Sequence, residues 1–547
     1  MSNRIYNTLF HIHTVSGLVI SVALFVIFFA GSISFFRDDI INWERQQPIV
    51  KGSQMDVDFD TVMDTLAARH SLYGRALTIR QMHQERRVMV SATPSLDTAA
   101  IDEAKSRFFL YQDPDSQKSY SYFEDFTLGE FIYRLHFFAQ IPYPYGYLLS
   151  GFVAFFFLFA IVTGIIVHWK KIISNFYLFR PWAKLKTVWT DAHTALGVIG
   201  LPFQFMFAVT GAVLIIGSTV MLGATTLFFY NGDTEKLRKE IFAEEDAYPF
   251  ANDPQEHNFS INELVSKTLQ KWQNVSVTRV VLQNYGDASM HVVVKVKPND
   301  SQRFTGIGQV AYNASTGEEV AAKDPFGSTD YAVAVQDIIL KLHFGNYGGY
   351  GLKIIYFIFG MITCFVILSG VLLWVEARDK KSTVRWKRKS NQWVAAIVLA
   401  VSLSMYPVTA LSFTVVKLFK DVNDPAPHLL IFKTFFISWL VFSIFFSIKK
   451  DSYFTNKYCL LSGSVLGFLV PIANGVVSET WLWKTFNQQQ VQIFVVDAFW
   501  LVTSVITFLI VLNLKPKIKG EHIEIPAPIK DKTAAKKVIK TRKLQPV

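Results

Sequence analysis

Apolar residues in this chain gather into long runs with few charges, near residues 14–36, 147–168, 194–222, 352–375, 393–416, 428–448, 459–478 and 493–514. Each run is long enough for a helix to cross roughly 30 Å of hydrocarbon. The pattern predicts an α-helical polytopic membrane protein with about eight transmembrane helices. Two polar segments, roughly 38–130 and 223–338, interrupt the first four runs. Each opens with helix-like periodicity, Phe59 to Ala68 and Ile261 to Trp272, and continues into strand-like alternation, as in Val88-Met89-Val90 and His291 to Val296. A turn sequence then follows, Asp113-Pro114-Asp115 in one and Asn313 to Glu318 in the other. Two small α+β modules are expected.

The resulting division is a first span (1–37), a first module (38–130), spans two and three with a basic loop (131–222), a second module (223–338), a fourth span (339–377), a basic loop (378–392), spans five to eight (393–514) and a basic tail (515–547). Only Arg4 precedes the first run and no small-residue cleavage site follows it, so it reads as a retained span rather than a signal peptide.

Composition agrees with this picture, since 51% hydrophobic and 15% aromatic residues over 547 positions exclude an ordinary soluble enzyme. The net charge of +11 matters for where it lies. Basic residues crowd the loops after the second run (Lys170, Lys171, Arg180, Lys184, Lys186), the fourth (Arg378 to Lys389) and the sixth (Lys449, Lys450, Lys457), and the tail from Lys515 to Lys543. The positive-inside rule makes all four cytoplasmic, with both termini inside and both modules outside. The basic runs are topology signals, not nucleic-acid sites. Cys364 and Cys459 form no CxxC, and the lack of CxxCH excludes covalent haem. Spans five to eight are expected to carry almost no intramembrane charge.

The candidate chemistry lies in a repeat. His13-Thr14-Val15-Ser16-Gly17 and His193-Thr194-Ala195-Leu196-Gly197 open two of the runs, and Gly31 and Gly211 each follow the histidine by 18 residues. Arg134-Leu135-His136-Phe137 and Lys341-Leu342-His343-Phe344 lead back from the two modules. Symmetric halves would bring His13 towards His193 at the inner face and His136 towards His343 at the outer face. All four histidines are expected at helix N-termini, where the dipole disfavours imidazolium. Gly17 and Gly197, one turn past their histidines, leave room for a flat macrocycle, and paired imidazoles without further ligands suit a b-type haem better than zinc. His168 is a reserve ligand for the inner site. Arg134 and Lys341 are placed to meet haem propionates or an anionic chelate, or to snorkel at the interface. His70, His83, His257, His291 and His428 read as surface polar residues. No nicotinamide, flavin or Walker fingerprint is present, so if the histidine pairs hold haem its electrons are expected from quinol or a cytoplasmic reductase.

The order span, α+β module, span, twice over, with HTxxG at the inner entries, LHF at the outer entries and the turn Tyr312 to Glu318, resembles the PepSY-associated transmembrane family, which includes iron-regulated inner-membrane proteins and ferric-siderophore reductases. The resemblance covers roughly residues 1 to 380. It implies a protein of the bacterial cytoplasmic membrane with two haems b per chain, PepSY modules in the periplasm, and electrons passed outward to a ferric siderophore or ferric chelate to release Fe(II). It assigns His13 and His193 to the inner haem, and His136 and His343 to the outer one. The first module departs from the pattern, with Asp113-Pro114-Asp115-Ser116 where the second has Asn313-Ala314-Ser315-Thr316-Gly317. Other readings of the chain are an iron or siderophore transporter, or an envelope regulator whose PepSY modules bind a peptidase.

Overall fold

A computed structural model describes residues 2–49, 57–81, 86–177, 180, 183, 185–237, 248–257, 259–380, 382–420, 424 and 426–515. Lys184, Lys381, His83 and the tail beyond Lys515 lie outside these. Among the described residues, eight helices are long and apolar enough to cross a membrane. Helix α1 (Asn3–Ser34) is followed by short α2 (Arg37–Arg45), α3 (Phe59–Ala67), α4 (Leu128–Leu135) and the second span, α5 (Tyr145–His168). The order then repeats with α6 (Leu185–Ala212), α7 (Ile261–Lys271), α8 (Tyr331–Phe344) and α9 (Gly349–Arg378). The third span runs on from α6 through π-helical Val213–Met221 as far as Phe229, so it outlasts the expected 194–222 at both ends.

Spans one to four form one bundle, with α1 packed on α5 and α9, and α6 on α9 and α5. Where α1 crosses α9, a Cβ on Gly360 would lie 2.0 Å from Ser32 Oγ. Only glycine admits that approach. The remaining spans are α10 (Arg385–Leu403) with α11 (Met405–Phe419), α12 (Pro427–Lys449), α13 (Ser452–Ser478) and α14 (Val491–Asn513). The fifth span is interrupted at Ser404, where Pro407 has no N–H to return to the carbonyl of Leu403.

The late spans were expected to carry almost no charge, and the two buried charges they do carry among the described residues lie near their ends. Lys417 and Asp497 are buried at the ends of α11 and α14 nearest α2. The Asp497 carboxylate accepts from Trp43 Nε1 (2.8 Å) and Asn474 Nδ2 (2.7 Å). Lys417 Nζ donates to the Trp43 carbonyl (3.0 Å) and lies 4.7 Å from its ring. Gln46 reaches Asn474 Oδ1 at 2.9 Å. Buried polar groups persist only with partners, and here Trp43 and Gln46 at α2 meet Lys417, Asn474 and Asp497 of the late spans, so the network joins the two halves of the membrane region.

The polar segments hold eight strands: β1 (Leu77–Arg80), β2 (Val88–Ala92), β3 (Phe108–Gln112), β4 (Ser119–Tyr120), β5 (Val275–Gln283), β6 (His291–Pro298), β7 (Gly308–Asn313) and β8 (Glu319–Lys323). The strands of the two segments, four from each, join edge to edge in one antiparallel sheet of order β4-β3-β2-β1-β5-β6-β7-β8. The seam is β1 against β5, with Leu77 opposite Leu282 and Arg80 opposite Arg279. An edge strand alone exposes a row of unpaired N–H and C=O groups, and the seam covers two such edges at once. Alternate residues, among them Leu77, Ile79, Val280, Leu282, Val292 and Val294, form one core with α3 and α7. The two helices also cap each other. Asn262 Oδ1 accepts from Phe59 N (2.9 Å), while Asp60 Oδ1 accepts from Ile261 N (2.6 Å).

The departure seen in the first module's turn sequence does not alter its geometry. Asp113 Oδ1 accepts from the amides of Asp115 (3.0 Å) and Ser116 (3.5 Å), just as Asn313 Oδ1 accepts from Ser315 (2.8 Å) and Thr316 (3.1 Å). Gln117 takes the positive φ that Gly317 takes in the second. Burial alone would raise the Asp113 carboxyl, but the Asp115 amide, Arg86 and Ser116 outweigh it and hold it below the usual range.

Candidate functional site

Both histidine pairs form, each with one member from each half of the repeat. The His13 and His193 ring centroids are 6.2 Å apart, at the end of the bundle far from the sheet. Those of His136 and His343 are 6.0 Å apart, at the sheet end. The 18-residue spacing explains how one helix serves both levels. It is five helical turns, so Gly31 lies on the same face as His13, about 27 Å along the axis. His13 is thus level with one pair and Gly31 with the other.

The expected placement at helix N-termini does not hold. His13 and His193 lie well inside α1 and α6, His136 caps the C-terminus of α4, and His343 is in the last turn of α8. The helix dipole therefore plays no part in favouring neutral imidazole at these rings. What the structure supplies instead is hydrogen bonding at Nδ1, which fixes the tautomer. His13 Nδ1–H donates to the Ala160 carbonyl (2.9 Å), His193 Nδ1–H to Val366 (2.9 Å) and His136 Nδ1–H to Ile27 (2.7 Å). Thr210 gives its hydroxyl proton to the Met206 carbonyl (2.7 Å), so its Oγ1 accepts from His343 Nδ1–H (2.9 Å). In every case Nδ1 is protonated, ring orientation is fixed and Nε2 keeps its lone pair, the arrangement metal-binding imidazoles require.

Small residues cradle the rings at four matched places. A Cβ on Gly164 would lie 3.2 Å from His13 Cε1, one on Gly370 3.1 Å from His193 Cε1, one on Gly31 2.5 Å from His136 Nδ1, and one on Gly211 3.8 Å from His343 Cε1. Thr163 and Ser369, just before two of these glycines, bring their hydroxyls within 3.4 Å of His13 Nδ1 and 3.3 Å of His193 Nδ1. Sequence reasoning missed Thr163-Gly164 and Ser369-Gly370. The signal was there, since each glycine stands four residues before His168 and Trp374, the repeat partners at the ends of their spans.

Beside Gly17 and Gly197 the space is open, with no atom within 4 Å of a built Cβ. His168 ends α5 and joins neither ring pair. Arg134 and Lys341 are engaged by protein groups. Arg134 donates to the Tyr122 hydroxyl (2.8 Å), which donates to Glu130 (2.7 Å), and Lys341 pairs with Asp300. Glu130 also holds Arg37 at 2.6 Å. Burial opposes its charge, yet Arg37, Tyr122 and Arg134 hold its carboxyl below the usual range. Of the histidines read as surface residues, His291 is buried and stacks on Tyr248 at 3.5 Å, and His428 packs against Phe123 and Phe126.

Between the two pairs the bundle is filled with aromatic rings. Phe28 meets Phe157 (5.2 Å) and Phe207 (6.1 Å), and Phe207 lies 6.2 Å from the His343 ring. The fold and these pairs define a class: a multi-pass membrane protein with an internally duplicated four-span core, each half giving one imidazole to each of two facing pairs. The family model described as PepSY-associated TM region matches residues 10–377, about two thirds of the chain, and the protein belongs to that family. A comparison with curated proteins returns no match.

Proposed function

We propose that each histidine pair provides the axial ligands of a b-type haem, and that the protein passes electrons across the bacterial cytoplasmic membrane to a periplasmic ferric siderophore or ferric chelate, releasing Fe(II). The observation that carries this reading is the spacing of the rings. With metal–nitrogen bonds of about 2.0 Å, one metal held between two facing imidazoles would need their ring centroids about 6.2 Å apart. The pairs measure 6.2 and 6.0 Å. The donor set fits as well. Each pair offers two imidazoles from opposite halves of the repeat, which suits a macrocycle that would supply the other four ligands.

When bound, the haems supply reversible one-electron chemistry. The chain's own residues orient and tune. Ala160, Val366, Ile27 and Thr210 fix the ring planes and make Nε2 more basic, the matched glycines let helices close on the rings, and Phe28, Phe157 and Phe207 keep water out of the space between levels. One electron from quinol or a cytoplasmic reductase would enter at His13/His193 and leave at His136/His343, reducing Fe(III) to Fe(II) with no protein acid or base required. In this reading the sheet is a pair of PepSY modules in the periplasm, and the basic loops and both termini are cytoplasmic.

The test is the visible spectrum of the purified protein reduced with dithionite. A b-type spectrum with two haems per chain, falling to one in His136→Ala, is expected; a folded protein without haem would end the reading. Turnover is then assayed with a ferric chelate and a ferrous-specific chromophore.

A further inference from the structure

The sheet has a second face, turned away from α3 and α7, and its central row is basic. Cross-strand partners share a face, so Met89, Arg80, Arg279, Lys295 and Gln309 lie in one row across β2, β1, β5, β6 and β7. Two arginines stand directly opposite each other at the seam, and a lysine stands opposite the second. Like charges in this arrangement destabilise a sheet. Nothing among the described residues compensates the two arginines. Arg279 has no hydrogen bond or ion pair there, and Arg80 has only the Met89 sulfur at 3.7 Å, with its Nε buried and without an acceptor.

This face looks towards the sheet-side histidines. At one end of the row Tyr111, opposite Met89, lies 6.4 Å from Tyr122, which binds Arg134 two residues before His136. On β6, Lys297 points to the same side as Lys295 and pairs at 2.9 Å with Asp337 of α8, the helix that carries His343. The arginine pair thus lies on the face that borders both helices of the proposed electron exit.

We propose that Arg80 and Arg279 form the docking site for the acceptor, and that this acceptor is a ferric chelate of net negative charge, presenting carboxylate or catecholate oxygens to the two guanidinium groups. Guanidinium forks match such oxygens in a bidentate manner and remain charged when partly buried. A bound anion would give the two arginines the acceptors that the described residues do not offer them. The proposal rests on the reductase reading for the identity of the ligand, but binding itself needs no electron transfer.

The experiment uses the full chain in nanodiscs of zwitterionic lipid, titrated calorimetrically with gallium(III) citrate as a redox-inert anionic chelate and with an uncharged gallium(III) trihydroxamate. We expect R80Q and R279Q each to weaken citrate-complex binding about tenfold, with R279K between them and wild type and trihydroxamate binding within about twofold. Because each glutamine removes one of two opposed cations, the ligand-free variants should melt no lower than wild type, which a purely structural arginine would not allow. Unchanged citrate affinity, an equal loss for the uncharged chelate, or a marked drop in melting temperature would each overturn the proposal. A parallel arm measures binding of the detergent-solubilised chain to vesicles with anionic lipid, and an R279Q effect confined to that arm would assign the seam to headgroups and overturn the proposal. Haem content is read on the same samples: a haem-free protein that still binds gallium citrate through Arg279 would sink the reductase reading and leave the docking site standing.

Discussion

Gly31→Ala asks the most of the site's geometry. The added Cβ would sit 2.5 Å from His136 Nδ1 and 2.7 Å from Cε1, where comfortable contact is about 3.5–4.0 Å. The ring would have to retreat by about 1 Å. It is held by its 2.7 Å bond to the Ile27 carbonyl, from the same helix as Gly31, so it cannot retreat and keep that bond. Overpacking of this kind costs about 1–3 kcal/mol, and losing the partner that orients a ligating imidazole lowers metal affinity about 10–100-fold. The repeat supplies its own controls. Gly211→Ala places a Cβ 3.8 Å from His343 and 3.7 Å from Ala154, which is ordinary contact, while Gly164→Ala and Gly370→Ala fall between at 3.2 and 3.1 Å. Melting temperature and haem per chain should therefore fall most in G31A, slightly in G164A and G370A, and hardly in G211A. G31A should retain one haem. If G31A melts with G211A and holds as much haem, the packing described around His136 is wrong; if it melts lower and no variant ever held haem, the geometry survives and the proposed function does not.

Thr210→Val removes the acceptor of His343 Nδ1–H, so under the proposed function the midpoint potential of a haem held at the sheet-side pair should rise while that of the other stays put, as read by potentiometric titration. In the sheet, Asp287 is fully buried, which alone would raise its pKa, but the Ser289 hydroxyl and amide and the amides of Asp253 and Ala251 outweigh this and hold it low. A carboxyl lowered on folding stabilises above its unfolded value, so that contribution should be complete above about pH 4 and vanish as pH falls through the folded value, an acid transition that D287N should blunt in circular dichroism. Asp497→Ala strips Trp43 Nε1 of its acceptor and leaves Asn474 Nδ2 with only the Thr480 carbonyl, while Lys417 keeps Glu44 as a nearby anion, so a cost of about 1–3 kcal/mol is expected, read as a lower melting temperature.

Much of this was legible because it repeats. Eight apolar runs mark eight spans, and the histidines at matched places in two halves foretell which ring meets which. The sequence could not say that the polar segments share one sheet, because a strand pattern shows which face is apolar and not which edge finds a partner; β1 and β5 carry no mark of their pairing. It also misplaced the histidines on their helices. The apolar run begins near residue 14, but the helix starts at Asn3, capped by Ser2, through polar residues that a hydropathy reading leaves out. Lys417 and Asp497 were hidden for a related reason: each is a single charge in a long apolar run, and their partners Trp43 and Asn474 are distant in sequence.

Neither half of the repeat owns a site. Taken alone, residues up to α5 would carry two imidazoles facing nothing and a sheet ending at the open edge of β1. A second half, turned about a two-fold axis, completes both ring pairs and closes that edge in a single docking event. The core of this chain is in effect a homodimer tied into one polypeptide. Tying makes association unimolecular and lets the halves diverge, as Arg134 and Lys341 already have, while both histidine pairs still depend on one interface holding.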